Sequence, residues 1–516
     1  MTGHITQNWT VLKTPARSPR GVVASQVGTA SQIGANILAA GGNAVDAAVA
    51  TAFALATIEP GNSGLGGCGF MLVHRAGEKR AQVVSFGPIS PIKTDPSAYP
   101  LVGGETKDLF TWPAVLEGRN AHGPLSFATP GAVDGLGLAQ EKWGRLTLAD
   151  VLAPAIALAD QGLPIDWFSS LRIANHAAGL RRYPTSRDIY LPDGLPPVAS
   201  LPMHYLNQGK LAQTMRQLAR AGRRDFYEGQ IAADIAADCA ALGSPLGAED
   251  LASYHAQILE PLEIPYRGHI IQAVPGLSAG PTLARVLGEL EGMDLGTQPQ
   301  ARAFTAYADH LTAAYQERLA GLGDVSKAET CTTHLVAVDS EGTMVSVTNT
   351  LLSIFGSCVV LPKTGILMNN GMFWFDPRPG HANSIGARKR PLTNMCPVIA
   401  ARNGEPVLAT GASGGRRIMP AVLQLLSFSL DFGMDVERAG HYPRIDASGT
   451  GKVDADPRLD PSIIEALKAA GHQVDLVSNN VFPVNYACPS LIQREKAGFA
   501  GLADVSSPWA AAIAVS

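Results

Sequence analysis

The sequence predicts a mixed α/β fold around a large buried core, on three observations. Hydrophobic residues make up 46% of the 516-residue chain and charged residues 16%, the balance of an ordinary globular protein and not of a disordered one. The stretches Leu148 to Gln161, Gln230 to Leu242 and Ala301 to Leu322 repeat their apolar positions at helical spacing. After Thr332 the pattern changes to alternation, the mark of strands with one buried face. Length leaves open whether the chain holds two or three domains or one layered body.

Gly21 to Ser25 reads as a short strand, followed by helical pattern from Thr29 to Ala39 and from Ala44 to Thr57. Gly41 and Gly42 make the turn before the second helix. Asn43 suits its N-cap, and Asp46 three residues on favours the positive helix end. Gly64-x-Gly66-x-x-Gly69 matches the dinucleotide fingerprint letter for letter, yet it follows a helix and leads into an expected strand, Phe70 to His74. That context is inverted and argues against a Rossmann site. Pro- and Gly-rich loops separate the three helical stretches, and a short polar connection runs from Gly323 to Cys331. Beyond it, His334 to Val338, a turn at Asp339 to Gly342, and Met344 to Val347 form a β-hairpin. Further strands are expected at Cys358 to Leu361 and Pro406 to Thr410, and a helix from Arg417 to Phe428.

A net charge of -4 gives no electrostatic case for nucleic acid or an anionic membrane. Met1 to Arg20 has no apolar core following a basic segment, so a cytoplasmic location is expected. The longest apolar stretch, Ala44 to Ile58, is too short to span a bilayer and reads as a buried helix. The six cysteines (Cys68, Cys239, Cys331, Cys358, Cys396, Cys488) lie far apart and read as buried free thiols. The twelve histidines include no His-Glu-x-x-His and no cluster of zinc spacing, so neither a metal nor a cofactor is expected.

Thr332, in Glu329-Thr330-Cys331-Thr332-Thr333-His334, heads the hairpin. If the bond before it is cut, one residue supplies both nucleophile and base. A threonine hydroxyl is a poor nucleophile until something takes its proton, and a freed α-amine with reference pKa ~7.7 to 8.0 can accept one near neutral pH. Alone the run says little, because threonine is a good strand former. Downstream, Gly411-Ala412-Ser413-Gly414-Gly415 joins an expected strand to an expected helix. Backbone N–H groups can converge there to stabilise a developing oxyanion.

Over most of its length the chain resembles the γ-glutamyltransferase family, with motifs in matching order: Gly41 to Ala48, Gly61-Asn62 through Gly69-Phe70, Thr332 to His334, Lys389-Arg390-Pro391-Leu392 and Gly411 to Gly415. The resemblance implies the four-layer αββα sandwich of the N-terminal-nucleophile (Ntn) hydrolases. It implies autocleavage between Cys331 and Thr332, giving a large subunit, 1–331, and a small one, 332–516, folded together as one body. It makes Thr332 the nucleophile, Thr350 the residue that orients it, and Gly414 and Gly415 the oxyanion hole. The connection before Cys331 is much shorter than is typical of the family, and it is where a precursor would be cut.

Departures from the family pattern bear on substrate. Gly87 stands where γ-glutamyl enzymes place the arginine that pairs with the substrate carboxylate, and Trp374 stands where they place the aspartate that binds the amine. Leu352 replaces an asparagine, Gly371 a glutamine, and Thr393-Asn394 a serine pair; the loop Pro377 to Lys389 is shorter than the family's lid. Desolvating a charged amino acid without partners costs several kcal/mol, so γ-glutamyl specificity is not expected. Trp374, Thr393, Asn394 and Arg416 are the candidate substrate contacts, with Arg416 able to hold a carboxylate. The run Arg388 to Arg390 reads as solvated or structural. This combination is similar to oxamate amidohydrolase, which implies a small oxoacid amide as substrate. The alternatives are acylase action on a larger amide, as in cephalosporin acylases, glutathione hydrolysis with transpeptidation, and an unprocessed scaffold or binding protein. The expected partners are the amide substrate and the chain's own two subunits, with a dimer of these heterodimers as the larger assembly.

Overall fold

Strand alternation builds the centre of this computed structural model, which describes residues 11–105, 112–320, 331–449, 451–481 and 484–516. Two antiparallel seven-stranded sheets are formed from β1 (Ala16–Ser18), β2 (Gly21–Ser25), β3 (Cys68–His74), β4 (Gln82–Phe86), β5 (Gln257–Leu259), β6 (Leu262–Tyr266), β7 (His269–Ala273), β8 (Cys331–Asp339), β9 (Met344–Leu352), β10 (Val398–Arg402), β11 (Glu405–Ser413), β12 (Cys488–Glu495), β13 (Gly498–Ala503) and β14 (Ala511–Ala514). One sheet runs β1-β13-β12-β11-β10-β7-β6 and the other β14-β2-β8-β9-β3-β4-β5.

Successive side chains in a strand point to opposite faces, and the buried residues sort accordingly. Val336 and Val338 of β8, Val22 and Ala24 of β2, Ile399 of β10 and Ala409 of β11 meet between the sheets. Leu335 and Ala337 of β8 and Val23 of β2 face one outer helical layer, while Val398, Ala400 and Leu408 face the other. The helices that matter here are α1 (Gly28–Ala39), α2 (Ala44–Ile58), α3 (Ala132–Trp143), α4 (Leu148–Gln161), α5 (Trp167–Leu180), α6 (Gly280–Glu291), α7 (Ala301–Ala320) and α8 (Ile418–Leu430). Helices α1 to α4 cover the sheet containing β8, and α6 to α8 cover the sheet containing β11. Four layers result, αββα, as expected.

Helix α2 is buried at every position, and each buried Val, Leu or Phe in it contributes about 1.5 to 3 kcal/mol. Its start is fixed by a reciprocal cap: Asn43 Oδ1 accepts from the N–H groups of Val45 and Asp46, and Asp46 Oδ2 accepts from Asn43 N at 2.9 Å. No helix among the described residues is long and apolar enough to cross a membrane. The expected hairpin forms as β8 and β9, its turn held by Asp339 Oδ1, which accepts from the N–H groups of Glu341, Gly342 and Thr343 at 3.0 Å each. Residues 321–330, which carry the expected end of α7 at Leu322 and most of the polar connection, lie outside the described residues.

One expected strand is absent. Cys358 to Leu361 folds back on residues 366–368, with Ser357 N donating to Met368 O and Leu361 N to Ile366 O. Phe355, Gly356 and Cys358 all have positive φ, so the chain is curled and cannot lie flat in a sheet. Its apolar composition reflects burial under α5 and not sheet pairing.

Candidate active site

Thr332 is the second residue of β8, where the pairing with β9 slips: Cys331 lies opposite Leu352, but Thr333 lies opposite Asn349. Such a bulge re-aims the side chains beside it. Thr332 Oγ1 donates to Thr350 Oγ1 at 3.2 Å, and the Thr350 hydroxyl accepts from Leu352 N at 2.9 Å. Leu352 has φ +83°, which turns its N–H back toward that oxygen. Thr350 is fully buried, whereas Thr332 keeps 6% of its surface.

Across the gap between sheets, β11 ends at Ser413. Gly414 (φ +136°) follows, and Gly415 (φ +59°) begins a single 3₁₀ turn, Gly415–Arg417, that leads into α8. A side chain at Gly414 would bring a Cβ within 2.8 Å of the Ala487 backbone, so only glycine fits. Successive backbone N–H groups in a turn of this kind form an anion-binding concavity. Gly411, the first glycine of the motif, has a different duty. A Cβ there would sit 2.3 Å from the His334 ring. His334 packs into that space with Nδ1 3.0 Å from Thr348 Oγ1, and burial pushes its pKa down to about 3, so it is a neutral ring between the sheets.

Thr332 and Gly414 open onto one cavity of about 430 Å³. It lies on the flank nearest β2 and β14 and is walled by α5, the end of α2 and the start of β12. Phe168 and Trp509 stack in its wall at 3.9 Å, and Trp509 Nε1 donates to Asp166 Oδ2 at 2.6 Å. Two guanidinium groups line it. Arg172 lies 3.5 Å from Glu59 Oε1 and donates to Asn62 Oδ1; Arg417 donates to Val484 O at 2.9 Å and lies 3.9 Å from Asp446. The Thr333 hydroxyl donates to Glu59 Oε2 at 3.2 Å. Burial pushes the Glu59 carboxyl up to about 7, in spite of the opposing pull of Arg172, Thr333 and Asn62.

Of the residues singled out in the sequence, the structure brings Thr332, Thr350, Gly414 and Gly415 to one place. Glu59, Arg172, Arg417, Phe168 and Trp509 were missed. Glu59 stands just before the Gly61-Asn62 motif, the only local signal. Nothing local ties it to Arg172, which is 113 residues away.

The four candidate substrate contacts do not line this cavity. Trp374 is buried beside Trp112, Phe373 and Phe70 in the layer between the sheets, and its carbonyl accepts from Asn383. Thr393 is pinned by its N–H and hydroxyl to Leu277 O, and its carbonyl accepts from Arg318 at 2.6 Å. Asn394 is half-buried beside it. Arg416 is buried, and its carbonyl accepts from the Tyr315 hydroxyl. The basic run is bonded to the protein: Arg388 pairs with Glu249, Lys389 Nζ donates to Ala382 O and Ser384 O, and Arg390 donates to Gly87 O.

Two antiparallel sheets packed between helical layers form the fold of the Ntn hydrolases, enzymes that cleave amides. The gamma-glutamyltranspeptidase family model matches residues 30–332 and 325–514, and the chain belongs to that family. It is 34% identical to the acylase ACY 1 proenzyme of Pseudomonas sp. (strain V22), over 90% of this chain and 89% of that one. It is 32% identical to the glutathione hydrolase proenzyme of Escherichia coli (strain K12), over 90% and 87%. The fold is similar to the crystal structure of cephalosporin acylase from Bacillus halodurans, with a TM-score of 0.85 at 24% identity, covering 99% of each chain.

Proposed function

We propose that the protein is an N-terminal-threonine amidohydrolase that matures by cutting itself between Cys331 and Thr332 and then hydrolyses an acyl amide with a sizeable, carboxylate-bearing group. The observation that carries this reading is the shared cavity of Thr332 and Gly414, with two guanidiniums and stacked rings in its wall. Its volume falls in the ~300 to 1,000 Å³ range of sites for drug-sized ligands, much more than a small oxoacid amide fills. Arg172 and Arg417 suit an anionic group, and Phe168 and Trp509 suit the apolar part that connects it to the amide.

In maturation the Thr332 hydroxyl attacks the Cys331 carbonyl, the peptide shifts from nitrogen to oxygen, and water hydrolyses the ester. Subunits of 331 and 516 − 331 = 185 residues then stay together through β8 and its neighbours. In turnover the freed α-amine takes the hydroxyl proton while Oγ1 adds to the substrate carbonyl. The N–H groups at Gly414 and Gly415 hold the oxyanion, the C–N bond breaks, and the leaving nitrogen takes the proton. Water then resolves the acyl-enzyme by the same groups.

A small oxoacid amide such as oxamate is the second reading, supported by Gly87 and Trp374 at the places where γ-glutamyl enzymes carry an arginine and an aspartate, and by the apolar packing around Trp374. The test is intact mass followed by a panel of glutaryl and aryl amides, oxamate and a γ-glutamyl anilide, with Thr332→Ala as control. Two fragments in the parent, one uncut chain in the control, and fastest cleavage of a carboxylate-bearing acyl amide are expected. A γ-glutamyl preference would overturn the specificity, and an active control would overturn the nucleophile.

A further inference from the structure

Glu59 is a carboxyl group that the reaction above does not use, yet it is bonded to Thr333, the neighbour of the proposed nucleophile. It caps the C-terminal end of α2, lines the cavity of Thr332, and accepts from the Thr333 hydroxyl at 3.2 Å. Its side chain is 13% exposed and that of Arg172 12%, so the pair is shielded from bulk water. Bond lengths from Thr333 Oγ1 back along the chain keep the Thr332 nitrogen within about 10 Å of Glu59 Oε2.

In the uncut chain that nitrogen is a neutral amide. Cutting turns it into an amine that can carry a charge, and a buried carboxylate nearby then gains a counter-ion. We propose, on the reading of Thr332 as an N-terminal nucleophile, that Glu59 is a positioning residue for the freed Thr332 amine, held by Arg172 and Thr333 so that its charge sets the pH at which the amine becomes a base. The groups facing it are Arg172 from α5, Asn62 from the turn after α2, Thr333 from β8 and Cys488 from β12; Arg417 and Asp166 line the same cavity. Arg172 both favours the ionised carboxylate and opposes a second cation, which keeps the amine from being locked in its charged form.

The sign follows directly. An anionic Glu59 raises the pKa of the amine, and the amine must be neutral to accept the Thr332 proton. Glu59→Gln removes the charge but keeps the shape and an oxygen acceptor for Thr333. In the mature enzyme its rising limb of kcat/KM against pH should move to lower pH by about one unit, the size of a charge pair at this separation and an effective dielectric of about 20. The pH dependence of labelling of the Thr332 amine by an amine-directed reagent should move by the same amount, with no substrate needed. A purely structural residue would lower the rate at every pH and leave both midpoints in place, and that result would overturn the proposal. If Glu59→Gln does not cut, residues 1–331 of the variant and residues 332–516, freed of the initiator Met by the host, are co-expressed so that the Thr332 amine exists without self-cutting, and the same labelling decides: a midpoint moved to lower pH supports the proposal and an unmoved midpoint overturns it. Failure of the nucleophile reading itself would show in the parent, as a chain that never cuts.

Discussion

Thr350→Val removes one hydroxyl and almost no volume, and its effects on folding and on catalysis can be separated. Thr350 Oγ1 accepts from Leu352 N at 2.9 Å and from the Thr332 hydroxyl at 3.2 Å, in a fully buried position. Valine cannot accept either. An orphaned buried N–H costs about 1 to 3 kcal/mol. For a chain of this length the unfolding entropy is about 1 kcal/mol per degree, so the melting temperature should fall by about 1 to 3 °C. The rate should fall further than that loss suggests. Without that contact the Thr332 hydroxyl samples other rotamers more often, and misplacement of a reacting atom by about 1 Å costs about 100-fold. Self-cutting and kcat should both slow by roughly 10- to 100-fold. KM should hold, because Thr350 does not line the cavity. The assay is a time course of intact mass from a cold lysate, then steady-state rates on the best amide of the panel. Thr350→Ser is the control: it keeps the acceptor, loses one methyl, and should stay within a few-fold of the parent. A Thr350→Val protein that cuts and turns over as the parent does would refute the assignment of Thr350 as the group that orients Thr332.

Three other outcomes are expected. Gly414→Ala should lower kcat by about 100-fold or more through displaced oxyanion donors, and lower stability by about 1 to 3 kcal/mol from a non-glycine residue at φ +136° against Ala487; parent-like rates would remove that turn from the site. Arg172→Met should raise KM for carboxylate-bearing acyl amides by about tenfold or more and change KM little for neutral ones; equal effects on both would remove Arg172 from recognition. His334 is held neutral, with its pKa pushed from 6.5 to about 3, so the unfolded chain binds its proton first and this contribution to stability is lost as pH falls from about 6.5 toward 3. Urea melts at pH 7 and pH 5 should show His334→Gln losing less stability than the parent over that interval, and an equal loss would refute the linkage.

Elements whose cause is local were legible in the sequence. Asn43 and Asp46 are three residues apart and cap α2 together. The alternation after Thr332 and the Asp339 turn give the hairpin because pairing across a short turn follows from period and turn chemistry alone. The failures share a different cause. Cys358 to Leu361 has the composition of a strand, but the positive φ of Phe355, Gly356 and Cys358 is imposed by packing from elsewhere in the chain. The cavity wall is assembled from α2, α5, β12 and the segment before β14, and the pairing of Glu59 with Arg172 depends on the approach of two helices that no local spacing encodes.

The same distinction explains why the residues of the proposed chemistry stand out in the sequence and those of the proposed recognition do not. Thr332, Thr350 and the glycine turn come from three strand ends, and each has a strict local requirement: a bulge that aims Thr332, a buried acceptor at Thr350, and positive φ at Gly414. Such requirements tolerate few residue types, so they leave a pattern. Recognition has no such restriction. On the flank of β3 and β4, Trp374, Trp112 and Phe70 pack together, and the Gly87 carbonyl is bonded to Tyr254 and Arg390. On the flank of β2 and β14, room is left beside Arg172 and Arg417. A nucleophile in mid-sheet can serve either flank, so exchanging the flank that is open changes the amide accepted without moving an atom of the reacting group. On the proposed reading the acyl group therefore lies on the flank of β2 and β14, and a ligand-bound structure with the acyl group packed against Trp374 would contradict it.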